Sequence, residues 1–120
     1  MGDLRVTTIS FGYSHKLKTL YKQGKLPIVY GFYGGLLTKD TVTLEHLKPH
    51  SKGGRTTLQN LVLATAKNNQ NRGNKPLKDF LNPEKMEQYL NQFKDIKIKK
   101  FDGNKYIEMI RKTVGELING

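Results

Sequence analysis

The 120-residue chain contains no cysteine. That absence excludes disulfides, thiolate catalysis and any zinc or iron–sulfur centre held by cysteines. Apolar runs are short as well: no stretch approaches the roughly 18 residues needed to span a bilayer. The first residues, MGDLRVTTISFGYSHK, lack the basic head, apolar run and small-residue cleavage site of a secretory leader. A soluble, cytoplasmic protein without membrane contact is therefore expected. Internal repeats and low-complexity tracts are missing too, and nothing resembles an interdomain linker.

Acidic residues are scarce, 10 against 21 Lys and Arg, which leaves a formal charge of +11. Such a surplus calls for a polyanionic partner. Nucleic acid suits it better than an anionic membrane, because no basic helix carries a clean apolar stripe. The charge is unevenly spread, at +4 over residues 1–44, +5 over 45–80 and +2 over 81–120. The last third is thus closer to scaffold than to a polyanion-binding face. With 36% hydrophobic and 26% charged residues the composition is that of a folded domain.

Local signals divide the chain. Ser14 to Gln23 is predicted as a short helix, with Leu17, Leu20 and Tyr21 on one face and Gly24 closing it. Leu26 to Phe32 reads as extended and Tyr33-Gly34-Gly35 as a turn. Thr41 to Leu44 and Leu61 to Leu63 are strand candidates, separated by the polar, glycine-containing loop Pro49 to Thr57. A helix from Ala64 to Arg72 is ended by Gly73 and barred from continuing by Pro76. Asn82-Pro83-Glu84 combines a cap, a first-turn proline and an acid, and opens a helix to Phe93. Met86, Tyr89, Leu90 and Phe93 on it are expected in the core. The alternation of Ile96, Ile98 and Phe101 with lysines is written for an extended segment. A last helix, Asn104 to Ile118, puts Ile107, Ile110, Val114, Leu117 and Ile118 on one stripe.

The chemistry concentrates in Leu44-Glu45-His46-Leu47-Lys48-Pro49-His50-Ser51-Lys52-Gly53-Gly54, then Asn60-Leu61-Val62-Leu63, then Asn68 to Lys75. A carboxylate and an imidazole end one strand, and a later helix offers amides and an arginine. Glu and Asn oxygens are hard ligands for a cation such as Mg²⁺, and a neutral His can accept a proton from water near pH 7. Arg72, three residues beyond Asn69, can meet a phosphate. By default His15 and His50 are surface histidines.

This constellation resembles the HNH endonuclease family and its ββα-metal finger. The likeness covers Thr41 to about Lys75 and reaches back to about residue 28. It rests on the acid–His pair after a strand, Pro49, Ser-Lys-Gly-Gly, Asn60, Asn69 and the following Arg-Gly. It implies an α+β fold: a finger region at 28–75, an N-terminal helix, and two C-terminal helices over 82–120 packed around it, all in one domain of residues 1–120. It further implies His46 as general base, Asn60 holding the loop and orienting His46, and Glu45 and Asn69 as metal ligands. Asn68 and Asn71 compete for the last role. Arg72 would contact the cleaved strand or steady the leaving group, and Lys48, Lys52, Arg55 and Lys75 would track the nucleic-acid backbone. The cofactor would be Mg²⁺ or Mn²⁺.

Many relatives carry a structural zinc on two Cys-x-x-Cys pairs, and the corresponding places here hold Tyr30, Tyr33, Thr65 and Asn68. No structural zinc is expected, with packing in its stead. The implied activity is hydrolysis of phosphodiester bonds in DNA, with RNA still open, nicking one strand per site in a monomer or homodimer. Small relatives serve phage, mobile elements and restriction. The alternative is a non-catalytic nucleic-acid-binding module of the same shape.

Overall fold

A computed structural model describes residues 17–120. Residues 17–22 are helical (α1), and the part of the expected helix before them lies outside the described residues, as does His15. Gly24 ends the helix at φ 74°, with its N–H donating to Tyr21 O and the Lys25 N–H to Leu20 O. This paired closure needs a left-handed residue, which glycine adopts without a Cβ clash. Leu17 and Leu20 are buried.

Two antiparallel strands follow, β1 (Val42–His46) and β2 (Leu61–Thr65), in a register that sets Leu44 opposite Leu63 and His46 opposite Leu61. The chain then enters α2 (Ala66–Arg72), completing a ββα unit. The expected helix start at Ala64 moves two residues on, because Thr65 is the cap: its Oγ1 accepts the Asn68 N–H at 3.1 Å. Residues 26–32, expected to be extended, form no strand. Tyr30 bridges to Leu36 around the turn at Gly34 and Gly35, and the Phe32 N–H donates to Leu63 O at 2.9 Å on the outer edge of β2.

After α2 come the single-turn α3 (Leu77–Phe80), α4 (Pro83–Asn91), a hairpin of β3 (Lys97–Ile98) and β4 (Phe101–Asp102), and α5 (Gly103–Asn119). Asn82 and Asp102 cap α4 and α5 by accepting the N–H groups of Lys85 and Lys105. Gly103 has no substitute, since a Cβ there would lie 2.0 Å from Phe93 O. Tyr89, Leu90, Phe93, Phe101, Tyr106, Ile110 and Val114 are buried in one cluster with Phe32, Val62 and Leu63, while Met86 is only partly buried. On the predicted stripe of α5, Ile118 is instead exposed.

The outer edge of β2 has no third strand. In its place the Leu63 N–H donates to Tyr89 OH at 3.0 Å, Tyr89 OH lies 2.8 Å from Tyr106 OH, and Tyr106 OH donates to Leu61 O at 2.7 Å. Two phenols, one from each C-terminal helix, thereby satisfy buried backbone groups that would otherwise be orphaned. Burial pushes the hydroxyl pKa of each tyrosine up, which keeps both neutral. No helix among the described residues is long and apolar enough to cross a membrane.

Candidate active site at the strand and helix junction

The candidate site begins with strand alternation, which sends Thr43 and Glu45 to the same side of β1. That side faces α2. Thr43 Oγ1 donates to Ala64 O and accepts from Asn69 Nδ2, each at 3.0 Å. The contact orients the Asn69 amide and leaves its Oδ1 without a donor among the described residues. Glu45 is 6% exposed. Its Oε2 accepts from Tyr33 OH at 2.7 Å and from Arg72 Nη1 at 3.2 Å, while Oε1 has no partner among the described residues. Glu45 on β1 and Asn69 on α2 thus each retain one hard oxygen without a partner among the described residues. That donor pair fits an oxygen-preferring divalent cation that keeps most of its waters. The described residues contain no group of three or more His, Cys, Asp or Glu side chains able to hold a metal, and cysteine is absent from the chain.

Arg72 departs from expectation. Rather than facing a phosphate, it is 1% exposed, and its guanidinium donates to Tyr33 OH, Glu45 Oε2, His46 O and Lys75 O. A buried carboxylate requires a partner, and Arg72 supplies it. The direct contact to a cleaved strand assigned to Arg72 from the sequence is therefore corrected to a role inside the protein. Tyr33, read from the sequence only as packing, is the third member of this cluster. Burial first, then the adjacent Glu45 carboxylate, raise its hydroxyl pKa, so it stays a donor. No sequence signal marked that reach across the fold.

His46 ends β1 and is half-buried. Its Nε2 lies 3.0 Å from Thr56 Oγ1, and its ring centroid is 6.1 Å from that of the exposed His50. Burial, followed by repulsion from His50, lowers its pKa below the ordinary imidazole value, with Glu45 acting in the opposite direction. At neutral pH the ring is neutral and keeps a lone pair for a proton.

Asn60, also 6% exposed, closes the loop between the strands. Its Oδ1 accepts the Lys48 N–H at 2.8 Å, and its Nδ2 donates to Lys48 O and Arg55 O at 3.1 and 2.9 Å. Gly54 sits inside this clasp, where a Cβ would come within 1.7 Å of Lys48 O. Of the four cations expected to track a backbone, all are exposed, but they differ in their engagements. Lys52 Nζ donates to Asn74 O, and Lys75 Nζ to Asn71 O, beside the Phe80 ring. Lys48 and Arg55 border a groove against α5.

The four positions that hold cysteines in many zinc-bearing relatives make other contacts. Tyr33 packs edge-on against Phe32 and Phe80, Thr65 caps α2, and Asn68 Nδ2 donates to Gly34 O at 3.1 Å. The backbone of Tyr30 is gripped by Gln92, whose Oε1 accepts the Tyr30 N–H and whose Nε2 donates to Tyr30 O, both at 2.9 Å.

The family model described as HNH endonuclease matches residues 34–75, a span that contains Glu45, His46, Asn60, Asn69 and Arg72. No curated protein and no solved structure gave a match. The antiparallel strand pair, the helix behind it and the matched span agree: residues 34–75 form a ββα unit similar to that of the HNH endonuclease family.

Proposed function

We propose that the protein is a divalent-metal-dependent endonuclease that hydrolyses DNA, with His46 as the general base. The observation that supports this most is the half-buried, neutral His46 at the end of β1, adjacent in sequence to Glu45 and steadied by Thr56. In this role His46 takes a proton from the attacking water, and Asn60 holds the loop that carries Thr56. Glu45 and Asn69 would hold the cation through their remaining oxygens, with Tyr33 and Arg72 fixing the carboxylate. When bound, Mg²⁺ or Mn²⁺ supplies positive charge to the phosphate and the leaving oxygen. One site acts on one strand, so a monomer nicks.

Relaxation of supercoiled plasmid in a panel of metals is the direct test. His46→Ala should lower the nicking rate about 10²- to 10⁴-fold. Equal inertness of the two proteins on all nucleic-acid forms would remove the catalytic reading. A second reading, a nucleic-acid-binding module without catalysis, is favoured by the engagement of Glu45 Oε2 with Arg72 and Tyr33. A gel shift that survives both EDTA and His46→Ala, without cleavage, would select it.

A further inference from the structure

Beside the His46 loop lies a groove of about 440 Å³ that none of the roles above uses. Its volume is within the range of about 300–1,000 Å³ typical of small-ligand sites. One wall is the loop closed by Asn60, with Lys48, Arg55 and Gln59. The other is the last part of α5, with Glu116 and Leu117. The walls are fixed to each other, because Thr113 Oγ1 donates to Gln59 O at 2.7 Å. They are also tied to the base: Thr56, the partner of His46 Nε2, stands between Arg55 and Thr57, which both line the groove.

Four polar side chains here have no bond or ion pair among the described residues: Lys48, Arg55, Gln59 and Glu116. Lys48 and Arg55 suit a phosphate. Glu116 does not, and a carboxylate in a site for a polyanion is useful only toward a donor. Exocyclic amino groups of cytosine, adenine and guanine are such donors, whereas thymine has no exocyclic amine and offers only its ring N3–H, set between two carbonyl oxygens that repel a carboxylate. Gln59 can both donate and accept, and Leu117 offers apolar surface to a base. A space of this size takes one nucleotide rather than a base pair.

We infer that the groove binds one unpaired nucleotide of the substrate strand next to the scissile phosphate, and that Glu116 selects a base bearing an exocyclic amine. This rests on the endonuclease reading above, but binding tests it separately from cleavage. Fluorescence anisotropy of His46→Ala protein with short labelled oligo(dC) and oligo(dT), at one salt concentration and neutral pH, is the experiment. Oligo(dC) should bind about tenfold tighter than oligo(dT). Adding Glu116→Ala should bring the two together within about twofold, chiefly through tighter oligo(dT) binding once the repulsion is gone. Glu116→Gln, which keeps the side-chain length, should do the same. Lys48→Ala and Arg55→Ala should weaken both oligomers equally and reduce the salt dependence. Equal affinity for the two oligomers in the parent, or a preference that survives both Glu116 variants with unchanged circular dichroism, overturns the inference. A wild-type protein as inert as His46→Ala on all nucleic-acid forms would overturn the catalytic reading alone.

Discussion

Two buried tyrosine clusters flank the β1–β2 pair, meeting at the ring of Phe32, and they differ in charge. On the outer edge of β2, Tyr89 and Tyr106 form a neutral chain whose hydroxyls are consumed by each other and by Leu61 and Leu63. Between β1 and α2, Tyr33 joins a full ion pair, Glu45 with Arg72, and the carboxylate keeps one oxygen without a partner among the described residues. The first arrangement is complete in itself. The second is not, and desolvating two charges is a costly way to build mere support. Incomplete, charged and next in sequence to His46, it is the cluster on which the proposed chemistry rests.

Removing Arg72 should separate the two clusters most sharply. Arg72→Met leaves the Glu45 carboxylate buried without its partner and should cost about 3–5 kcal/mol in urea denaturation. Tyr106→Phe tests the other side. It removes the donor to Leu61 O and should cost about 1–3 kcal/mol, yet leave the Mn²⁺ dependence of nicking unchanged. A shifted metal dependence in Tyr106→Phe would show that the neutral cluster is not scaffold alone.

Tyr33→Phe keeps the edge-on contacts with Phe32 and Phe80 and deletes only the hydroxyl. Its stability loss should be smaller, about 1 kcal/mol, because Arg72 still pairs with Glu45. Its Mn²⁺ affinity, read by electron paramagnetic resonance, should change, since Glu45 loses one of the two groups that hold it.

The smallest expected effects concern pH. The His46 pKa is lowered by folding, so the unfolded chain binds this proton more readily. Stability should therefore rise with pH from the lowered value up to the ordinary imidazole value near 6.5, and be flat above it. Activity should follow the same direction, falling as His46 becomes protonated. His50→Ala removes a repulsion that lowers the His46 pKa, and should move the acid limb of the rate profile to higher pH. An unmoved limb would assign the depression to burial alone.

Much of this arrangement was legible in the sequence because it is local. Gly24 as a helix end, Asn82 as a cap and the two strands around a glycine-containing loop follow from neighbours in the chain, and the spacing of Glu45, His46, Asn60 and Asn69 pointed to the candidate site. The burial of Arg72 was not legible. On a polar helix it reads as a surface cation, and only the placement of Glu45 on the α2-facing side of β1 draws it inward. The phenol pair was missed for the same reason, since Tyr89 and Tyr106 read as core aromatics and their hydroxyl partners are 26 and 45 residues away. The single turn of α3 escaped because four residues carry no periodicity.

The phenol pair also has a consequence for solubility. A two-stranded sheet with an open edge is a template for pairing with another chain, and natural proteins cover or charge such edges. Here the covering is done by Tyr89 and Tyr106, arriving from α4 and α5, together with the Phe32 N–H, which donates to Leu63 O. Cutting the chain after α2 would bare Leu61 O and the Leu63 N–H on the outer edge of β2, and the finger freed in this way should self-associate rather than stay monomeric.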